Sequence, residues 1–196
     1  MLDTFIQRVS QKDCPNCIRM QGCRPVLQMG EADLSKSVMF IAEAPGRLGA
    51  GISRIPLHGD RTGDNFEALL TKTGINREQC YITNAVLCLP LNEQRLNSTP
   101  KESEIKNCSG FLFEQIKLIR PNLIVTLGKS ALMALHQIQK HDMKLPKDGE
   151  MPIVHQWNAF HVLPLYHPSQ KVINIHRNLD QQTADYRLIL EWLKSS

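Results

Sequence analysis

Residues 40–70 read FIAEAPGRLGAGISRIPLHGDRTGDNFEALL. An apolar run, Val38 to Ala42, ends abruptly at Glu43. A short apolar run bounded by turn formers predicts a buried strand. About twenty residues rich in Gly, Pro and charge follow. "NFEALLTKTG" then puts Phe66, Leu69, Leu70 and Thr73 on one helical face, with Gly74 as a stop. So long a strand-to-helix connection, with Asp60 and Asp64 inside "GDRTGD", predicts a loop that holds something.

Outward from this stretch the alternation repeats. "CYITNAVLC" (80–88) is β-branched and aromatic, a second strand. "STPKESEIKNCSGFLFEQIKLIRP" (98–121) is a helix with Ile105, Cys108, Leu112 and Ile119 inward, ended by Pro121. "NLIVTLG" (122–128) is a third strand, with a short helix from Lys129. "FHVLPLYH" (160–167) is a fourth strand. Asp180 to Leu193 is the last helix, with Tyr186, Ile189, Leu190 and Leu193 on one stripe. Strands alternating with helices predict an α/β fold with a mainly parallel sheet. Such sheets bind ligands where the strands end at their carboxyl edge. Three unusual loops fall at such ends: after Ala42, after Asn84, and "HPSQ" after Tyr166.

The 196 residues suffice for one substantial core, so one domain over 1–196 is expected. Hydrophobic residues at 42% and charged residues at 21% exclude a disordered chain. No apolar stretch reaches a membrane span, and "MLDTFIQRVSQKDC" lacks the order of a signal peptide. A cytoplasmic protein with no membrane partner is expected. The net charge of +4 permits a polyanionic partner without demanding one. Six cysteines in a reducing compartment point to metal ligands before disulfides, and "CPNC" (14–17) sets two thiols on one turn. Nucleotide motifs fail: "GRLGAG" is misspaced, and "LGKS" has Leu123 where a P-loop needs Gly.

The set "CPNC", "AEAPG", "GDRTGD", "YITNAVLC", Cys108, "RPNLIVTLG" and "YHPS" resembles the iron–sulfur uracil-DNA glycosylases, families 4 and 5. The resemblance runs from Cys14 to about Ser169. It implies a three-layer α/β/α sandwich around a short, mainly parallel sheet. It also implies a structural [4Fe–4S] cluster on Cys14, Cys17, Cys88 and Cys108, with zinc as the rival for the same four thiols. Cys80 reads as core and Cys23 as a neighbour of the cluster. Glu43 matches the acid of family 4 and Asp60 that of family 5, so the chain stands between the two groups.

The implied activity is that of a monofunctional DNA glycosylase, which hydrolyses the N-glycosidic bond of a nucleotide flipped out of DNA; a monomer is expected. Uracil is the default base. Base–sugar cleavage passes through an oxocarbenium-like sugar. A carboxylate must orient water or offset that charge, with Asp60 as first candidate and Glu43 as second. His167 is placed to stabilise the departing base anion. Asn84 offers a donor and an acceptor to the base edge. Ser169, Lys171, His176 and Arg177 are candidate DNA contacts. Leu57 falls where relatives carry an aromatic that stacks on uracil, and Gly49, Ala50 and Gly51 nearby are small. That departure raises a bulkier substrate, such as glycosylated hydroxymethylcytosine in phage DNA, and with it antiviral defence. Phe66 or Tyr166 are the other aromatics able to take over the stacking. Two readings of other classes remain: a cluster-bearing DNA-binding module without catalysis, and a zinc-dependent hydrolase.

Overall fold

The computed structural model describes residues 2–11, 14, 17–28 and 38–195. Pro15 and Asn16, the middle of "CPNC", lie outside the described residues. Five strands are present: β1 (Val38–Ala42), β2 (Cys80–Asn84), β3 (Leu123–Leu127), β4 (His155–Trp157) and β5 (Phe160–Leu165). The helices are α1 (Leu2–Gln11), α2 (Ala50–Ser53), α3 (Arg61–Thr73), α4 (Glu102–Ile119), α5 (Lys129–Ile138), α6 (Gln170–Ile175) and α7 (Leu179–Ser195). The sheet order is β2-β1-β3-β5-β4. Its first four strands are parallel, and β4 is an antiparallel edge on β5.

Side chains alternate across a strand, so each strand feeds two cores. Met39, Ile41, Tyr81, Ile124 and Val162 face one layer, packed with α1, α4 and α5. Phe40, Ile82, Val125, Leu163 and Leu165 face the other, with Phe66 and Leu69 of α3 and Tyr186 of α7. Phe40 meets Phe66 edge-on at 5.2 Å and lies stacked against Tyr186 at 5.9 Å. This is the three-layer α/β/α sandwich. β1, β2 and β3 are buried along their whole length, which is why they read as continuous apolar runs. Cys80 is core, as expected.

Four elements went unread in the sequence. α1 sets Leu2, Phe5, Ile6 and Val9 into the core at helical spacing. β4 is only three residues and polar, and exists because it pairs with β5 across a tight turn at Asn158. α2 and α6 are four and six residues long, too short to show a period. α3 begins at Arg61, before the expected Asn65, because Asp60 caps it. Among the described residues no helix is long and apolar enough to cross a membrane.

Candidate active site

The carboxyl ends of β1, β3 and β5 open onto a cavity of about 610 Å³. Glu43 enters it from the end of β1, Asp60 from the N-terminus of α3, and His167 from the loop after β5. Three segments far apart in the chain thus bring two carboxylates and an imidazole to one place. A second cavity, of about 400 Å³, lies between α4, α5 and the β4–β5 hairpin. Its one charged side chain, Lys117, sits over the Phe113 ring, and no carboxylate or imidazole lines it.

Each acid is held differently. Ser130, in the first turn of α5, donates its Oγ–H to Glu43 Oε2 at 2.6 Å. The Glu43 carbonyl accepts from Val86 N at 3.1 Å, fixing the backbone that carries the side chain. Asp60 is the N-cap of α3: its Oδ1 accepts from Gly63 N at 3.0 Å. Its other oxygen lies under the loop. A Cβ at Gly46 would stand 2.5 Å from Asp60 Oδ2, and one at Gly49 would also clash with it. A Cβ at Gly51 would meet the Gly46 carbonyl at 3.0 Å. The small residues of this loop therefore make room for a carboxylate and for backbone. The expectation that Gly49 and Gly51 enlarge a base pocket is corrected accordingly, while Ala50 does line the cavity.

His167 is braced on two sides. Asn65 Nδ2 donates to Pro168 O at 2.9 Å from within α3. Gly128, at φ +89°, leaves space for the histidine, since a Cβ there would stand 3.3 Å from His167 Cβ. Burial holds the imidazole below its ordinary value, and the nearby Glu43 and Asp60 charges pull the other way. The ring lines the cavity and is only half-exposed, so burial prevails and the neutral form is favoured.

Asn84, at the end of β2, is not among the residues that line the cavity. It is 2% exposed, and its Nδ2 has no hydrogen-bond partner. A buried donor left unpaired costs on the order of 1–3 kcal/mol, which a ligand accepting that bond would recover. Leu57 lines the cavity with φ +47°, a conformation rare for a branched residue, and packs into the second core. Phe66 is fully buried in that core and cannot stack on a ligand. Tyr166 does line the cavity: its hydroxyl donates to Pro146 O at 3.1 Å and its ring stacks on His176 at 6.1 Å.

Ser169, Lys171 and His176 also line the cavity, as expected of DNA contacts. Arg177 does not, which is a correction. Its guanidinium donates twice to Asp185, at 2.9 and 2.6 Å, with both side chains buried. A buried charge must be paired, and pairing removes it from solvent and phosphate alike. Ser130, Asn65 and Gly128 were missed in the sequence. The only signal was their place at strand or helix ends facing the strand-end loops.

Cys14, Cys17, Cys23, Cys88 and Cys108 gather near the loop after β2. Cys88 feels the charges of Cys23, Cys108 and Cys14, and Cys108 those of Cys17 and Cys14. Burial pushes Cys108 up to about 11 and raises Cys17, which accepts from Asn107 Nδ2 at 3.6 Å. Cys23 sits against Cys88 and takes a hydrogen bond from Leu89 N at 3.3 Å. The bond from Cys88 lowers the Cys23 thiol and raises the Cys88 thiol. None of the six cysteines is joined in a disulfide. Among the described residues no three His, Cys, Asp or Glu close around a point as ligands of one metal ion.

Comparison with known proteins agrees with the geometry. The model of the uracil DNA glycosylase superfamily matches residues 29–194. The chain is 35% identical to a type-4 uracil-DNA glycosylase of Saccharolobus solfataricus, over 85% of this chain and 76% of the relative. It is 36% identical to the type-4 enzyme of Thermotoga maritima, over 89% and 84%. A type-5 uracil-DNA glycosylase of Pyrobaculum aerophilum is 30% identical, over 79% and 70%.

Proposed function

The chain belongs to the uracil DNA glycosylase superfamily, and we propose that it excises uracil from DNA by hydrolysing the N-glycosidic bond, leaving an abasic site. The observation that carries this is the meeting of Glu43, Asp60 and His167 in one cavity at the strand ends. DNA is the partner, and residues 1–196 act as one glycosylase domain and as a monomer. The single sheet shared by both cores supports the one-domain reading.

The steps follow from the residues. A nucleotide leaves the stack and its base enters the cavity, where Tyr166 offers a ring face. Asn84, outside the cavity lining, is the proposed reader of the base edge through its buried, unpartnered Nδ2. Ser169 and Lys171 meet the backbone at the mouth. As the bond to the sugar breaks, positive charge develops there, and Glu43 and Asp60 offset it and orient water. The base departs with negative charge on its oxygen. A neutral His167 donates an N–H to that oxygen, worth on the order of 10²–10³ in rate.

A [4Fe–4S] cluster suits the cysteine corner. Its donors are thiols alone, the usual complement for such a cluster. One tetrahedral zinc, with bonds of ~2.3 Å, draws its sulfurs to within ~4 Å of each other. Zinc on the same four thiols is the rival, and iron and sulfide content separates the two. Cys14, Cys17, Cys88 and Cys108 would hold the cluster, with Cys23 beside Cys88. Bound there, the cluster ties the N-terminal segment, the loop after β2 and α4 together, and hydrolysis asks no electron of it.

The test is an excision panel on DNA carrying uracil, hypoxanthine, xanthine or a glycosylated hydroxymethylcytosine. Uracil release is expected, with no borohydride-trapped adduct although Lys129 and Lys171 line the cavity. DNA binding without release of any base would replace the enzyme with a binding module. A second reading rests on Leu57: a leucine in place of a stacking aromatic, in a cavity of about 610 Å³, favours a bulkier modified pyrimidine and a role in antiviral defence. Strong uracil release, unchanged in Leu57→Phe and absent on bulky bases, would remove it.

A further inference from the structure

The two acids of the cavity are not equivalent, and the difference lies in what already occupies their oxygens. Asp60 Oδ1 is engaged by the amide of Gly63, and Oδ2 is tucked against Gly46 and Gly49. Oδ1 thus serves the start of α3, while Oδ2, which accepts no hydrogen bond among the described residues, is closed in by the loop. Among the described residues, Glu43 is engaged at one oxygen, by the Ser130 hydroxyl at 2.6 Å. Ser130 is 7% exposed and held in the second helical position of α5, after Gly128. Its place is fixed by the helix, so the hydroxyl can act as a rigid donor. The N-terminus of α5 also favours a negative charge beside it.

We infer that Ser130 is a positioning residue, which holds Glu43 by Oε2 so that Oε1 faces the cavity as the water-orienting oxygen. Asp60 then shapes the loop and adds charge. A hydroxyl bonded to a carboxylate removes the rotamer freedom of a glutamate at a strand end. The ordering is done before substrate arrives, which is how a carboxylate acts on water without reorganising. The inference rests on the glycosylase reading above.

Two measurements test it. In a crystal structure of Ser130→Ala, the Glu43 carboxylate should leave its position beside α5 while Asp60 stays in place. An unmoved Glu43 would overturn the proposal, whatever the enzyme's substrate proves to be. Single-turnover excision by wild type, Ser130→Ala, Glu43→Gln and the double variant gives the second. Wild-type release of a base from the panel tests the glycosylase reading by itself. Ser130→Ala should lower the chemical rate about 10-fold or more, with KM and melting temperature little changed. In the Glu43→Gln background the same change should cost no more than about 2-fold. Equal losses in both backgrounds would make Ser130 a structural residue that acts independently of Glu43.

Discussion

The strand-end cavity and the cysteine corner are both assembled from loops, and both crowd ionisable groups together, yet they are finished to different degrees. In the cavity the chain satisfies its own charges. Ser130 holds Glu43, Gly63 caps with Asp60, and Asn65 and Gly128 brace the His167 loop. In the corner the thiols have single contacts such as Asn107 on Cys17 and Leu89 N on Cys23, while burial raises Cys17 and Cys108 and the bond with Cys23 raises Cys88. Deprotonated thiols placed together there repel. The cavity is thus organised by hydrogen bonding within the chain, whereas the corner is where the proposed cluster would bind.

That contrast predicts which changes abolish folding and which abolish only chemistry. The largest effect is expected in the corner. Cys88→Ala or Cys108→Ala should lose bound iron and most soluble protein, because cluster binding is coupled to folding. Iron and sulfide per chain, with absorbance at roughly 400 nm for a thiolate-bound cluster, provide the readout. Full iron in Cys88→Ala beside its loss in Cys23→Ala would move the ligand set. In the cavity, Asp60→Asn, Glu43→Gln and His167→Ala should keep fold and DNA binding while excision falls, by ~10²–10⁴ for acid–base assistance and ~10²–10³ for the anion donor. Loss of iron or of solubility in these variants would erase the distinction between the two regions.

Smaller effects sharpen it. Arg177→Met leaves Asp185 buried and unpaired, which should cost about 3–5 kcal/mol of stability in urea unfolding. The salt dependence of DNA affinity should not change. Lys171→Ala should do the reverse, reducing that salt slope by about one contact with no loss of stability. The smallest effect concerns pH. His167 has a folded value below its unfolded one. Its neutral form is therefore favoured by folding, and its contribution is complete above ~6.5 and is lost as pH falls through that value. Unfolding free energies between about pH 5 and 8 should show a slope that flattens in His167→Asn. An unchanged slope would assign the pH dependence to another group.

The main alternation was legible in the sequence because burial writes it there. Val38–Ala42, Cys80–Asn84 and Leu123–Leu127 are covered on both faces, so each had to be apolar throughout. The helices that cover them show a period for the same reason. Glu43, Asp60 and His167, which line the cavity, were singled out through the family resemblance; Glu43 and His167 also follow strands whose ends could be located, whereas Asp60 caps α3 ahead of the start expected at Asn65. What remained hidden depends on partners distant in the chain. Arg177 looks like a surface cation until Asp185 is brought beside it by the turn into α7. β4 has no signature of its own and exists through its bonds to β5. Gly49 looks like spare room until the Asp60 carboxylate fills the space its missing Cβ leaves. Ser130 lies 87 residues from Glu43, and only the adjacency of β1 and β3 in the sheet brings the two side chains together. Hydrophobic burial is a property of each segment and leaves its pattern along the chain. A hydrogen bond between two chain ends of a sheet is a property of the packing, and it arises only once the strands have been ordered.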